Sequence, residues 1–186
     1  MLETLAMADC VSLSVLEAAR SVANRASFDS STAPLVKSGQ ISTMILSYVG
    51  TNKALQDSYL SGRVSLELSP QGTIAERLRA GGAGIPAVLT PTGAGTFVET
   101  GQIPRRLSEK KEGVKQEVVL PGKKKDVMEF DGKRFLVEPA IKGDVAIVRA
   151  YKVDKAGNCV FRYTTKAFAP LMARAAKLSI VEVSGG

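Results

Sequence analysis

The apolar residues of this chain occur in short runs, and helical segments and turns rich in glycine or proline separate those runs. Runs of this length read as strands rather than as helices. The five clearest are TMILSYV (43–49), VSLEL (64–68), AVLT (87–90), DVAIVRAYK (144–152) and LSIVEV (178–183). Strands that alternate with helices predict an α/β domain with an open, mainly parallel sheet.

The best-defined helix lies in the segment TIAERLRAGG (73–82). Thr73 and Glu76 have the spacing of a capping box, in which each side chain bonds the backbone amide of the other residue. Alanine, glutamate, arginine and leucine fill the interior, and the pair Gly81 and Gly82 supplies a stop. Further helices are predicted over 11–24 and 170–177.

The turn Ser-Pro-Gln-Gly (69–72) lies just before this helix, where free backbone donors collect. A carboxylate, a phosphate or a polarised carbonyl would be stabilised at such a position. The alternative is a joint between strand and helix that binds no ligand.

Residues 105–134 form a basic excursion with ten Lys or Arg residues and six acidic residues. The excursion carries +4 of the formal net charge of +7. Asp131-Gly132 is a strong two-residue hairpin signal. The predicted strands of this region are VKQEVVL (114–120), VMEF (127–130) and KRFLV (133–137).

The sequence pI near 9.5 raises the possibility of nucleic-acid binding. Phe130 is the only aromatic residue within 105–134, so a platform for stacking bases is missing there. We favour a solvated loop or a patch that attracts small anions. Steeply salt-dependent binding to DNA or RNA would indicate nucleic-acid binding instead.

Composition excludes several classes of protein. The 186 residues suit one domain over 1–186, and no apolar stretch approaches the ~20 residues that cross a bilayer. Cys10 and Cys159 are isolated, which is typical of reduced thiols in an intracellular protein. Because histidine is absent, the chain cannot build a Ser-His-Asp or Cys-His arrangement or a His-bearing zinc site.

The run Gly82-Ala-Gly84-Ile-Pro-Ala formally fits the dinucleotide fingerprint G-x-G-x-x-A. These glycines follow a helix and precede a strand, and Pro86 fixes the backbone, so a Rossmann cofactor site is not predicted. The glycines instead allow a loop to approach a flat or bulky group closely.

Four ordered blocks carry a resemblance that covers nearly everything from about residue 21 onward. They are QISTMILSYVGTN (40–52), YLSGRVSLELSPQGTIAERLRAGGAGIPAVLTPTGAGTFVE (59–99), IKGDVAIVRAYKVDKAGNCVFRYTTKAF (141–168) and PLMARAAKLSIVEV (170–183). Together they resemble the alpha half of the family I coenzyme A transferases, in particular members that act on succinyl-CoA and 3-oxo acids. Residues 105–134 are the variable excursion in this comparison.

The resemblance implies an open sheet of the NagB/RpiA/CoA transferase-like type, with an active site between an alpha half and a beta half. A glutamate of the beta half attacks the acyl-CoA thioester, and CoA passes to a carboxylate acceptor such as acetoacetate, as in ketone body catabolism. This is covalent ping-pong catalysis with a coenzyme A thioester as substrate, and it needs no permanently bound cofactor and no metal. A beta partner and a hetero- or homo-oligomer are expected, without nucleic acid or membrane.

The resemblance also implies site residues. Gln71 matches the family glutamine that faces the reacting glutamate, and it would support the oxyanion, a contribution of about 3 kcal/mol. Gly82, Ala83 and Gly84 would let the partner half and the pantetheine arm approach. Asn24 matches the second of two consecutive asparagines near the site, and Ala23 replaces the first.

Two parts of the family pattern lack a counterpart, namely the first strand with its GGFG-type loop and the beta half with its Ser-Glu-Asn-Gly motif. The chain is therefore expected to be truncated at both ends and inactive alone. A missing interior strand would leave unpaired edges and make the chain poorly soluble. The alternative is a catalytically inactive fragment or pseudo-subunit that acts as a binding or scaffold domain. The resemblance places the protein in the mitochondrial matrix or, as in bacterial members, in the cytoplasm.

Overall fold

The computed structural model describes residues 4–7, 19–23, 33–50, 52–163 and 166–183. The described residues build a central sheet in the order β13-β10-β1-β2-β3-β4, in which every neighbouring pair of strands is parallel. Its strands are β1 (Thr4–Met7), β2 (Ala19–Ala23), β3 (Ile41–Leu46), β4 (Ser65–Leu68), β10 (Gly143–Ala150) and β13 (Ala176–Val183). The predicted α/β class with a mainly parallel sheet is confirmed.

Helices cover both faces of this sheet, because residues of β10 alternate between two cores. Val145 and Ile147 pack with the helices Ala33–Lys37 and Lys53–Leu60, whereas Ala146 and Val148 pack with the helices Gln71–Gly82 and Ala169–Ala175 on the other face. A strand that is buried on both sides reads as a continuous apolar run, as DVAIVRAYK does. The helices are α1 (Ala33–Lys37), α2 (Lys53–Leu60), α3 (Gln71–Gly82), α4 (Phe97–Thr100) and α5 (Ala169–Ala175).

Two predictions for the first residues fail. β1 lies between β10 and β2 and pairs with both, so the expectation that the sheet lacks an interior strand is wrong. The helix predicted over 11–24 is wrong at 19–23, where β2 pairs with β1 and β3. Pairing on both sides outweighs the local helix propensity of these residues. Residues 11–18 lie outside the described part of the chain.

The excursion forms small antiparallel sheets at the edge of the parallel one. The turn Asp131-Gly132, with φ of 49° and 69°, joins two strands as predicted. The strand predicted over 114–120 forms only at 118–120, and the Glu117 amide before it bonds the Ser108 hydroxyl instead of a backbone carbonyl. The remaining strands are β5 (Ala87–Thr90), β6 (Arg106–Leu107), β7 (Val118–Leu120), β8 (Val127–Phe130), β9 (Lys133–Pro139), β11 (Lys152–Val153) and β12 (Cys159–Val160).

Among the described residues, the helices are too short and too polar to cross a membrane.

Candidate active site

The start of α3 exposes backbone donors. β4 leads through Ser69 and Pro70 into the helix, which begins at Gln71 with no side-chain cap. The first helical hydrogen bond runs from the Ile74 amide to the Pro70 carbonyl, at 3.0 Å. The three amides before Ile74 therefore have no acceptor within the helix, and the helix dipole adds partial positive charge at the same point. This position favours a negatively charged group.

The capping box predicted from Thr73 and Glu76 is wrong. Thr73 is the third residue of α3, and its buried hydroxyl has no hydrogen-bond partner among the described residues. Glu76 pairs with Arg79 at 2.8 Å. The helix starts three residues earlier than the box requires, because Pro70, with φ of −54° and ψ of 144°, takes the N-cap position in place of Thr73.

Gln71 lies in the first turn of α3, and its side chain is exposed. The amide is thus turned away from the core and lies at the positive end of the helix. Asn24, the second polar residue proposed from sequence, lies outside the described residues. Ala23 is the last residue of β2.

Gly82, Ala83 and Gly84 are exposed at the opposite end of α3. Since a helix rises 1.5 Å per residue, roughly 16 Å separates them from Gln71. A Cβ on Gly82 would lie 2.9 Å from the Cβ of Arg174, so packing against α5 already requires a glycine there. Gly84 has φ of 74° and nothing near its missing Cβ. The structure therefore separates the predicted site into two ends of one helix.

A buried ion network lies between β4, α3 and β9, and the sequence analysis did not identify it. The Arg77 guanidinium lies 2.9 Å from Glu67 and 3.9 Å from Glu138, and its Nε donates to the Pro139 carbonyl at 2.8 Å. Glu138 is only 1% exposed. The signal that could have indicated this network is a charged residue inside an apolar run, such as Glu67 in VSLEL. A charge that is buried with such a run requires a partner of opposite charge.

Two further cations complete this network. Lys125 lies 2.8 Å from Glu138, and Arg105 lies 3.3 Å from Glu67. Burial by itself raises the pKa of Glu67, but the charge and hydrogen bond of Arg77, with the charges of Arg105 and Lys125, outweigh burial and hold the pKa below its ordinary value. Glu67 is therefore held as a carboxylate.

A cavity of about 270 Å³ opens beside the network, between β4, α3 and the excursion. Arg77, Arg105 and Lys125 line it, and so do residues of the turns at 101–103 and 122–124. Gln71 and residues 82–84 are not part of its lining. The described part of the chain thus offers an open helix start and, separately, a basic cavity.

Comparison with known sequences identifies the family. A family profile described as Coenzyme A transferase matches residues 16–185. One of the subunits of succinyl-CoA:3-ketoacid coenzyme A transferase from Xanthomonas campestris is 45% identical over 149 residues, which are 80% of this chain and 52% of that polypeptide. The human mitochondrial succinyl-CoA:3-ketoacid coenzyme A transferase 2 is 44% identical over 80% of this chain and 28% of its own length. The chain therefore spans about half of the bacterial polypeptide.

Known structures give the same fold. An acyl-CoA transferase from Escherichia coli O157:H7, in a thioester complex with CoA, matches 92% of this chain and 35% of its own with a TM-score of 0.72 and 22% identity. Glutaconate coenzyme A-transferase from Acidaminococcus fermentans matches 91% of this chain and 54% of its own, with a TM-score of 0.67 and 16% identity. With the profile match over most of its length, the chain belongs to the coenzyme A transferase family.

Proposed function

We propose that the chain is the alpha portion of a CoA transferase that moves CoA between succinyl-CoA and a 3-oxo acid such as acetoacetate. A beta half, on the same or a separate polypeptide, supplies the nucleophilic glutamate. Relatives whose names specify succinyl-CoA and 3-ketoacids support this choice of substrates. The observation that carries the proposal is the exposed amide of Gln71 at the uncapped start of α3.

In this scheme the glutamate carboxylate attacks the thioester carbonyl, and the CoA thiolate leaves from the tetrahedral intermediate to give an acyl anhydride. The thiolate then attacks the glutamate carbonyl of the anhydride, which releases the acyl carboxylate and forms a glutamyl-CoA thioester. An acceptor carboxylate repeats these two steps in reverse and takes CoA. The scheme requires neither a permanently bound cofactor nor a metal.

The part assigned to this chain is to stabilise the oxyanion of each tetrahedral intermediate. A side-chain amide donates N–H groups, and the first turn of α3 adds backbone donors and the positive end of the helix dipole. Such a donor acts where charge develops, so it lowers the barrier more than it strengthens substrate binding.

Gly82, Ala83 and Gly84 are assigned to the partner half and the pantetheine arm rather than to the reacting atoms. Their exposure and their distance of roughly 16 Å from Gln71 along α3 support this division. Asn24 is assigned to substrate binding on the strength of the sequence resemblance.

The likeness to known CoA transferase structures supports the finer assignment of the sheet to the NagB/RpiA/CoA transferase-like type. The proposal includes a complex with the beta half, as a hetero- or homo-oligomer. The human relative is named as mitochondrial, which supports the mitochondrial matrix, whereas the relationship to a bacterial transferase supports the cytoplasm.

The test combines the purified chain with beta subunits of related transferases and follows thioester exchange between succinyl-CoA and acetoacetate. The wild-type pair is expected to be active and the chain alone inactive. Gln71→Ala is expected to lower kcat by about 100- to 1000-fold with a small change in KM, as for the loss of one oxyanion donor.

Gln56→Ala is the matched control, because Gln56 is also an exposed glutamine on a helix but lies inside α2. It is expected to leave kcat unchanged. Equal losses in both variants, or no exchange with any of the beta subunits, would contradict the proposed function.

A further inference from the structure

We infer that the cavity between β4, α3 and the excursion is a binding site for a small organic carboxylate with a short apolar chain. The inference goes beyond the proposed transfer of CoA, because it concerns direct binding to this chain and requires no beta half. It rests on the charge of the cavity, an unsatisfied donor and the apolar part of the wall.

The cavity has an excess of positive charge. Its carboxylates are Glu67 and Asp126, and Glu138 lies behind the wall at 2.8 Å from Lys125. The residues that line the cavity or lie directly behind its wall thus include five cationic and three acidic residues, so an anion would compensate the excess of positive charge. The cationic residues of the lining are Arg77, Arg105, Lys123, Lys124 and Lys125.

Arg105 provides a donor that the described residues leave unused. Its Nη2 lies 3.3 Å from Glu67, but its Nε is buried and has no hydrogen-bond partner in the described part of the chain. A buried donor without a partner costs free energy, which an acceptor in the cavity recovers once the Arg105 side chain turns toward it. Because guanidinium N–H groups suit carboxylates, a carboxylate oxygen is the fitting acceptor.

The rest of the wall is apolar, and this distinguishes the expected ligand from a bare inorganic anion. Burial of a hydrocarbon chain against this wall would contribute about 25 cal/mol of favourable binding free energy for each Å² of apolar surface removed from water. The volume of about 270 Å³ lies just below the usual range of small-molecule sites, about 300–1000 Å³. The apolar residues of the lining are Leu66, Leu68, Phe97, Val98, Ile103 and Val137.

The experiment measures binding of butyrate to the full chain by isothermal titration calorimetry. Butyramide has the same shape without the charge, and inorganic phosphate has charge without the hydrocarbon. Butyrate is expected to bind at least about tenfold more tightly than either. Absence of saturable butyrate binding, or equal affinity for butyramide or phosphate, would overturn the inference.

Two lysine variants make the same chemical change within the excursion. Lys124 lines the cavity, whereas Lys111 is exposed and not part of the lining. Lys124→Gln is expected to weaken butyrate binding by about three- to tenfold, and Lys111→Gln to change it by less than about twofold. Equal losses would mean that only overall charge matters, which overturns the site.

Arg105→Gln removes the unsatisfied donor and is expected to weaken butyrate binding by about tenfold or more. Unchanged affinity in a folded Arg105→Gln protein would contradict the role of Arg105 and overturn the site. Circular dichroism checks the fold. If this variant unfolds, the comparison of Lys124→Gln with Lys111→Gln decides, because both lysine side chains are exposed.

Discussion

The guanidinium of Arg77 lies between two carboxylates, and the Arg77 side chain is only 7% exposed. Taking such charges out of water is costly, so the intact network contributes little net stability. Removing Arg77 has a different effect, since Glu67 and Glu138 lose their shared cation and keep only the partners on the far side of the network. Loss of Arg77 is therefore expected to cost more stability than any single ion pair of this residue contributes.

Arg77→Ala is expected to lower the free energy of unfolding by about 3–5 kcal/mol, because Glu67 and Glu138 lose a shared cation. Arg79→Ala is the control on the same helix. Its ion pair with Glu76 is about half exposed on both sides, so the expected loss is below about 0.5 kcal/mol. Urea unfolding measures both, and similar losses would show that the Arg77 network does not stabilise the fold.

The pH dependence of stability follows from Glu67. Its pKa in the folded chain is below the ordinary value of 4.5, so the unfolded chain binds more protons as the pH falls through that region. The contribution is complete above pH 4.5 and is lost as the pH falls through the folded pKa. Stability is therefore expected to fall on acidification, and less steeply in Glu67→Gln.

Denaturant unfolding at a series of pH values below neutrality measures this difference. Some acid dependence should remain in Glu67→Gln, because the hydrogen bond from the Gly95 amide, helped by Arg134, also holds the pKa of Glu99 below its ordinary value. An acid loss as steep in the variant as in the wild type would exclude Glu67 as a source.

At the scale of elements, α3 is fixed closely to the segment that enters β10. The Ile141 amide donates to the Arg77 carbonyl at 2.9 Å, which draws the two backbones together. A Cβ on Gly81 would overlap the Ile141 carbonyl oxygen and lie 2.8 Å from its carbon. The glycine at this position therefore serves close packing within the chain.

Gly81→Ala is expected to destabilise the protein by about 1–3 kcal/mol, because a backbone carbonyl must move. Gly72→Ala is the matched change in the first turn of α3, where nothing lies within 4 Å of the new Cβ. It is expected to stabilise by about 0.4–1 kcal/mol through the unfolded state. Thermal unfolding should show opposite shifts, and a loss in both variants would contradict the packing argument.

The sequence predicted elements best where the turn chemistry agrees with the local apolar pattern. AVLT (87–90) and the hairpin at Asp131-Gly132 form as predicted, because the turn chemistry and the apolar run point to the same structure. The segment 19–23 was predicted as a helix, but pairing with two strands distant in sequence decides its structure. The start of α3 was predicted imprecisely for a local reason, since Pro70 and not Thr73 occupies the N-cap.

At the scale of the whole molecule, the sequence placed Gln71 at a helix start but could not predict the ion network. Glu67 and Glu138 come from strands that belong to different sheets, and only the folded chain brings both carboxylates to Arg77. The separation of Gln71 from residues 82–84, in contrast, follows from the helix that the sequence already predicts between them.

The edge strand β13 carries the last prediction. Leu178 and Ile180 are 56% and 45% exposed, although their partners Val145 and Ile147 belong to the core under α1 and α2. An apolar edge strand promotes association, so the chain alone should self-associate with rising concentration, as sedimentation velocity would show. The double variant Leu178→Lys, Ile180→Lys is expected to shift the association equilibrium toward monomer. The control is the double variant Val114→Lys, Val119→Lys, which places the same charge on exposed valines of the excursion and is expected to leave the equilibrium unchanged. A wild-type monomer at all concentrations, or equal effects of the two double variants, would exclude this edge as the cause.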